Sequence, residues 1–74
     1  MPTLRQLRLD RLWSQRELAE QAGVAEKTVI TIESGRRLPR LVTMRAIADA
    51  LGVPWHDVDE FRATVEAQAS KEAA

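Results

Sequence analysis

The residues with the most specific chemistry are hydrogen-bond donors that cluster between positions 15 and 40. Gln15 and Lys27 carry side chains that donate to acceptors on base edges. The short side chains of Thr28 and Thr31 donate to phosphates or touch a thymine methyl group. The chemistry that this set favours is therefore recognition of a polar surface by hydrogen bonds, with no covalent step.

A basic loop follows these donors and contains Arg36, Arg37 and Arg40 around Pro39. An ordinary solvated loop is also charged, but three arginines beside a candidate recognition segment favour phosphates.

The chain as a whole has a net charge of zero, which alone argues against nucleic acid. Its charges are unevenly distributed. Residues 1–40 hold eight basic and five acidic residues, and residues 41–74 hold three basic and six acidic ones. This polarity, from +3 to −3, would orient the protein on DNA.

Catalytic chemistry lacks its usual residue combinations. The sequence has no nucleophile paired with a histidine, no paired carboxylates with supporting bases, no metal-ligand cluster and no phosphate-cradling glycine loop. The single histidine, His56, lies at a predicted helix start, where a surface role is expected. We expect no enzyme, no catalytic or metal residue, no cofactor and no small-molecule ligand.

Length and composition indicate one small domain. The chain has 74 residues, of which 45% are hydrophobic and 30% charged, and it has no cysteine for a disulfide or thiolate site. No apolar run is long enough to span a membrane, and no signal peptide is recognisable at the N-terminus. The expected location is the cytoplasm, without a membrane partner.

Helix signals recur at short intervals and predict an all-α fold of five helices. In the first helix, Leu4, Leu7 and Leu12 are expected to share one face. Ser14 and Glu17 form a capping box for a short second helix that ends at Gly23. Its inward residues are Leu18, Ala19 and Ala22, and Val24 is expected to fill the core in the turn that follows.

The third helix is predicted at about 25–33, with Val29 and Ile32 facing inward and Gly35 as its stop. The fourth, at about 41–51, has the clearest apolar stripe, formed by Met44, Ile47, Ala48 and Leu51. A fifth helix is predicted at about 54–68. The domain is expected to cover residues 1–66, with residues 67–74 as a helix end or flexible tail.

Two short helices joined by a tight glycine-containing turn, at residues 14–33, form a helix-turn-helix. The sequence here resembles the Cro/lambda-repressor-type (XRE) helix-turn-helix family over about residues 4–58. The resemblance rests on Ser14-Gln15-x-Glu17-Leu18-Ala19-x-x-Ala22-Gly23-Val24, on Thr28-Val29-x-x-Ile32-Glu33-x-Gly35-Arg36, and on Pro39 with Ile47-Ala48-x-Ala50-Leu51-Gly52-Val53. It implies a five-helix, lambda-repressor-like domain that binds double-stranded DNA as a homodimer on two half-sites.

The resemblance also implies roles for particular residues. The outward residues of the third helix would face the major groove, the start of the second helix would approach the DNA backbone or a base edge, and the basic loop would hold phosphates. The implied DNA-binding residues are Gln15, Arg16, Ala25, Glu26, Lys27, Thr28, Ile30, Thr31, Arg36, Arg37 and Arg40. Arg8 and Glu33 match positions that form a structural ion pair between the first and third helices.

Several residues depart from the family pattern. Ala25 stands where a Ser or Thr often caps the recognition helix, and Arg40 replaces a frequent capping Ser before the fourth helix. Leu12 stands where a helix-ending glycine is common, so the helix ends differently there or Leu12 is strained. Glu26 favours the positive end of a helix dipole but can also accept from a cytosine amino group. Ile30 can pack on a thymine methyl group or belong to a protein interface.

The apolar stripe of Val58, Phe61 and Val65 is expected to cap the core and also to contribute to a dimer interface. The leading functional hypothesis is a sequence-specific transcriptional regulator of the repressor type that acts as a homodimer. The alternative is a protein-interaction module of the same fold, such as an antitoxin-like or coregulator subunit that binds a partner protein. Zero net charge, Glu26 and Ile30 favour this alternative modestly.

Overall fold

A computed structural model describes residues 2–36 and 38–73 of the chain. It contains α1 (Leu4–Asp10), α2 (Gln15–Ala22), α3 (Glu26–Glu33), α4 (Leu41–Leu51), a short 3-10 helix (Trp55–Asp57) and α5 (Asp59–Ala73). The described residues form no strand. The predicted all-α class and the helix-turn-helix position are therefore confirmed, and α4 has the predicted bounds.

A single core contains the inward side chains of all five α-helices. Its fully buried members of largest volume are Phe61, Leu4, Leu18, Ile47, Leu51, Val29 and Val58. Burial of each such side chain contributes roughly 1.5–3 kcal/mol relative to an exposed position. α2 packs against both α3 and α4, so it holds α3 in place from behind.

Local sequence signals explain where the first two helices begin. Thr3 accepts a hydrogen bond from the backbone N–H of Gln6, and Ser14 accepts one from Glu17; in both pairs the later side chain accepts from the cap residue's backbone. These reciprocal bonds satisfy N–H groups that the first helical turn leaves without partners. At the other end of α2, Gly23 has φ of 70°, a left-handed conformation that glycine adopts without a Cβ penalty.

Leu12 is the first point at which the structure corrects the sequence prediction. α1 ends at Asp10, and the chain reverses through Leu12, which has φ of 58° and a side chain that is 88% exposed. The expectation that Leu12 shares the inward face of α1 is wrong, because α1 ends at Asp10, two residues before Leu12. Of the two alternatives at this position, strain is the one observed, since a left-handed backbone at a leucine costs about 1–2 kcal/mol.

The fifth helix also differs from its prediction. Pro54 precedes a 3-10 turn, Val58 adopts an extended conformation with ψ of 116°, and α5 starts only at Asp59. The extended Val58 interrupts the helical run that its apolar spacing suggested. The segment expected to be a helix end or tail is helical up to Ala73, and Ala74 lies outside the described residues.

Burial corrects the expected dimer interface at Val58 and Phe61. Both side chains are 0% exposed and belong to the core, so they have no surface to offer a second protomer. The expectation that this stripe caps the core is confirmed, and Val65 packs against the same core while remaining half-buried. None of the described helices combines the length and the apolar character needed to cross a membrane.

Replacing Leu12 with glycine is predicted to stabilise the protein by about 0.5–1 kcal/mol. The substitution relieves the left-handed strain and removes no buried surface, while the greater freedom of glycine in the unfolded chain offsets part of the gain. Urea unfolding followed by circular dichroism measures the change. Leu9→Gly is the matched control, because Leu9 is an exposed leucine inside α1 and its replacement should destabilise. A less stable Leu12→Gly variant would contradict the strain argument.

Candidate nucleic-acid interface

The turn between α2 and α3 fixes which face of α3 reaches solvent. Val24 donates its backbone N–H to the carbonyl of Ala19 at 3.0 Å, and its side chain packs against the core. Val29 and Ile32, on the inner face of α3, are 0% and 3% exposed. The opposite face of α3 is therefore presented outward by the packing of α2 and α3.

This outward face carries five predicted site residues. Glu26, Lys27 and Ile30 are exposed, whereas Thr28 and Thr31 are half-buried at its edge. The Thr31 hydroxyl donates to the carbonyl of Thr28 at 3.0 Å, so only its acceptor capacity remains for a ligand. Ala25 occupies the N-cap of α3 without a side-chain hydrogen bond, as its residue type predicted.

A first groove runs along one side of α3, where α1 and the start of α2 approach it. Its lining consists of Arg5, Arg8, Ser14, Gln15, Ile30, Glu33 and Ser34. Arg5 is exposed, while Arg8 and Glu33 are almost fully buried. The groove thus has an exposed arginine and a buried ion pair in its lining.

The predicted ion pair between Arg8 and Glu33 is present and is bidentate. Arg8 Nε donates to Glu33 Oε2 at 2.7 Å and Nη2 donates to Oε1 at 3.1 Å, with the two side chains 8% and 5% exposed. Arg8 Nη1 also donates to the carbonyl of Trp13 at 2.7 Å. The same carboxylate oxygen, Oε1, accepts from Gln15 Nε2 at 3.2 Å. One buried carboxylate therefore joins α1, α2 and α3 and fixes the amide of Gln15.

A second groove lies on the other side of α3, where the loop into α4 passes. It is lined by Thr28, Thr31, Ile32, Leu38, Pro39, Arg40 and Thr43. Arg40 is exposed at the N-cap of α4. Arg36 is exposed as well, and its backbone N–H donates to the carbonyl of Thr31, which places it at the end of α3. Arg37 lies outside the described residues.

Not every predicted site residue joins these grooves. Arg16 lies on the exposed surface of α2 and pairs with Glu20 at 3.3 Å, with side chains 78% and 65% exposed. Arg5, Ser14, Ser34 and Thr43 line the grooves although sequence reasoning did not include them. Arg5 had a readable signal, because it precedes Arg8 by three residues and so lies near it on α1.

Two grooves lined by both polar and apolar side chains thus flank an exposed helix face. Arginines stand at the outer edges of both grooves, and every described buried side-chain nitrogen or oxygen has a hydrogen-bond partner. A concave surface with cations on both sides and a protruding helix between them matches a ligand with two rows of anions and a readable edge between the rows.

Comparison with known proteins supports this interpretation. The sequence profile described as helix-turn-helix matches residues 4–58. The chain is 49% identical over 39 residues to an uncharacterized HTH-type transcriptional regulator of Methanothermobacter thermautotrophicus, over 53% of this chain and 56% of the relative. It is 42% identical over 53 residues to the HTH-type transcriptional regulator SutR of Escherichia coli, over 72% of this chain and 30% of the relative.

A third relative is the cryptic phage CTXphi transcriptional repressor RstR of Vibrio cholerae. It is 37% identical over 51 residues, which cover 69% of this chain and 46% of the relative. The chain thus spans from about a third to just over half of the length of these relatives. No solved structure matches the chain significantly.

The buried ion pair yields a stability prediction. Glu33→Gln is expected to destabilise the protein by about 3 kcal/mol, because it leaves the buried Arg8 guanidinium without a compensating charge. The double variant Arg8→Met with Glu33→Leu is expected to regain part of this loss, since it removes both charges. Chemical unfolding measures both values.

Arg16→Ala is the control for this experiment, because its ion pair with Glu20 is exposed and its loss should cost less than about 1 kcal/mol. A similarly small cost for Glu33→Gln would show that the buried pair does not hold the three helices together.

Proposed function

The chain belongs to the Cro/lambda-repressor-type helix-turn-helix family, and from this premise we propose that it is a repressor that binds duplex DNA sequence-specifically as a homodimer. The observation that carries the proposal is the exposed face of α3 between two arginine-edged grooves. The proposed activity is binding alone, with no catalytic step. A protein that binds chromosomal DNA in this way would act in the cytoplasm.

The dimensions of α3 suit a major groove. Eight residues give a helix about 12 Å long, and the major groove of B-DNA is about 12 Å wide and admits one helix. With α3 in the groove, Arg5 would approach one phosphate row. Arg36 and Arg40 would approach the other row. These contacts would set the register of the protein on the duplex without reading its sequence.

The exposed side chains of α3 would contact the base edges. Lys27 has three donors for the acceptors of guanine, whereas Glu26 accepts only and suits the amino group of cytosine. Glu26 would repel a phosphate, so it is useful only if it points at base edges. Each good base contact contributes about 1–3 kcal/mol of discrimination.

A homodimer is proposed because a single α3 offers few base contacts. Two copies related by a two-fold axis would place their recognition helices about 34 Å apart, one turn of DNA. Leu38, Leu41 and Val42 are 70%, 54% and 69% exposed, and they follow one another along the loop and the start of α4. This apolar surface, next to the basic loop, is where we place the second protomer.

The repressor role rests on the likeness to RstR of Vibrio cholerae.

The same apolar surface is what favours the alternative function. Three exposed aliphatic side chains in a chain of zero net charge also suit a different protein partner, as in an antitoxin-like or coregulator subunit. Salt dependence separates the two functions, because contacts to phosphates release counterions and apolar contacts do not.

DNA binding is predicted to weaken steeply with salt. Fluorescence anisotropy with a preferred two-fold-symmetric duplex should give a log–log slope near about −5 for roughly six neutralised phosphates per dimer. Arg36→Ala with Arg40→Ala should reduce the slope by about 3 to 4, because each dimer loses four cations. Lys71→Ala, on the exposed end of α5, should leave the slope unchanged.

Absence of binding to every duplex at low salt would overturn the DNA-binding function and favour the protein-interaction module. A slope that the two arginine substitutions leave unchanged would instead overturn the assignment of the basic loop to phosphates, while the DNA-binding function itself would stand.

Self-association is predicted to depend on the surface of Leu38, Leu41 and Val42. Sedimentation equilibrium should show a dimer whose dissociation constant rises about tenfold or more in Val42→Glu, because a buried unpaired carboxylate opposes association. Leu9→Glu, which adds the same charge to an exposed leucine of α1, is the control. A monomer at all concentrations, free and on DNA, would contradict the homodimer.

A further inference from the structure

We propose that Ile30 and Gln15 together form a thymine-reading subsite, in which Ile30 packs on the C5-methyl group and Gln15 donates to O4 of the same base. The inference rests on the proposed DNA-binding function and names one base that the interface would read. Both residues line the first groove, beside the exposed face of α3. Nothing in the helix-turn-helix match itself specifies which base these two side chains read.

Ile30 supplies the apolar half of the subsite. Its side chain is 42% exposed on the outward face of α3, in a groove otherwise lined mainly by polar and charged residues. An isoleucine offers no hydrogen bond to a phosphate or to a base heteroatom. The apolar group that a duplex presents in the major groove is the C5-methyl of thymine, which therefore matches Ile30.

Gln15 supplies the polar half, and Glu33 determines which way its amide faces. An ionised carboxylate only accepts hydrogen bonds, so the amide nitrogen of Gln15 must be the group that faces Glu33 Oε1. One of the two amide hydrogens is used in this 3.2 Å bond, and the second remains free to donate. The bidentate bond of Glu33 to Arg8 keeps that carboxylate in place.

Thymine matches this pair with substituents on two adjacent ring carbons. Its O4 accepts a hydrogen bond and its C5-methyl is apolar, whereas cytosine presents an amino donor in place of O4 and no methyl group. Adenine presents an amino donor and no methyl group either. Guanine presents the acceptors O6 and N7 but no methyl group, so Gln15 alone does not exclude it and Ile30 must make that distinction. Thymine is the base that combines an acceptor with a methyl group, so a donor beside an isoleucine favours thymine.

Deoxyuridine substitution tests the subsite, because it removes only the C5-methyl group. A preferred duplex is first isolated with the full chain by random-site selection, and each thymine is then replaced singly. For the wild type, we expect one thymine per half-site at which deoxyuridine weakens binding by about three- to fivefold, the value of one buried methyl group. For Ile30→Ala, the same replacement should change affinity by less than about 1.5-fold, since no partner for the methyl group remains.

Two further variants separate the subsite from general effects. Gln15→Ala should weaken binding to the thymine and deoxyuridine duplexes alike and keep their ratio at the wild-type value. Leu9→Ala truncates a leucine of similar exposure, 48%, that lines neither groove, and should leave all affinities unchanged. Circular dichroism of Ile30→Ala should match the wild type, because the side chain is not part of the core.

The two failures are distinguishable. If Ile30→Ala retains the wild-type deoxyuridine penalty at every thymine, or if no thymine is sensitive to loss of its methyl group, the subsite is wrong while selective DNA binding stands. If the selection returns no preferred duplex, sequence-specific binding and the subsite are both wrong.

Discussion

The bidentate ion pair between Arg8 and Glu33 is the interaction on which the rest of the interface depends. It is nearly inaccessible to water, so both charges have lost most of their hydration and depend on each other and on the Trp13 carbonyl. Replacement by apolar residues of similar volume is often neutral for stability, so the pair is not explained by stability alone. What it provides is geometry, because one carboxylate sets the positions of α1, α2 and the Gln15 amide relative to α3.

The requirement for an outward face on α3 limits how well this short helix can be built. Val29, Ile32 and the side chain of Glu33 are buried among its eight residues, so mainly Glu26, Lys27 and Ile30 are exposed for recognition. Ala25 leaves the first turn without a side-chain cap, and the β-branched Ile30 is 42% exposed. An isolated helix of this length is marginal in water, so α3 depends on packing against α2. A helix held from behind in this way can present side chains that contribute little to its own stability.

Periodicity and capping signals predicted most of the fold but could not predict which apolar residues stay exposed. The predicted capping box at Ser14 and the glycine at position 23 involve local hydrogen bonds and φ angles, so the sequence encodes them directly. The box at Thr3, which the sequence analysis did not name, is of the same local kind. The prediction that Leu12 lies on the inward face of α1 was wrong because the side chain's position depends on where α1 ends. Val58 and Phe61 failed as interface residues because helical spacing identifies an apolar face without showing what covers it. Arg5 was missed although its spacing from Arg8 placed the two near each other on α1, and the groove that Arg5 lines forms only when α1 lies beside α3.

The net charge of zero does not describe the charge of the candidate interface, because it sums groups that lie on different surfaces or inside the protein. Arg8 and Glu33 neutralise each other inside the protein, and α5 carries much of the acid away from the grooves. Among the exposed residues of α3, of the loop that follows it and of the two groove linings, the cations Arg5, Lys27, Arg36 and Arg40 outnumber the carboxylate of Glu26.

With so modest an excess of cations, the proposed dimer would release about six counterions, so the sequence-independent part of its binding free energy would fall steeply as salt rises. More of the binding free energy must then come from contacts to base edges, which are specific by nature. In such an interface, Glu26 and Ile30 would reduce the attraction to DNA in general, and the same two side chains would contribute to discrimination between bases.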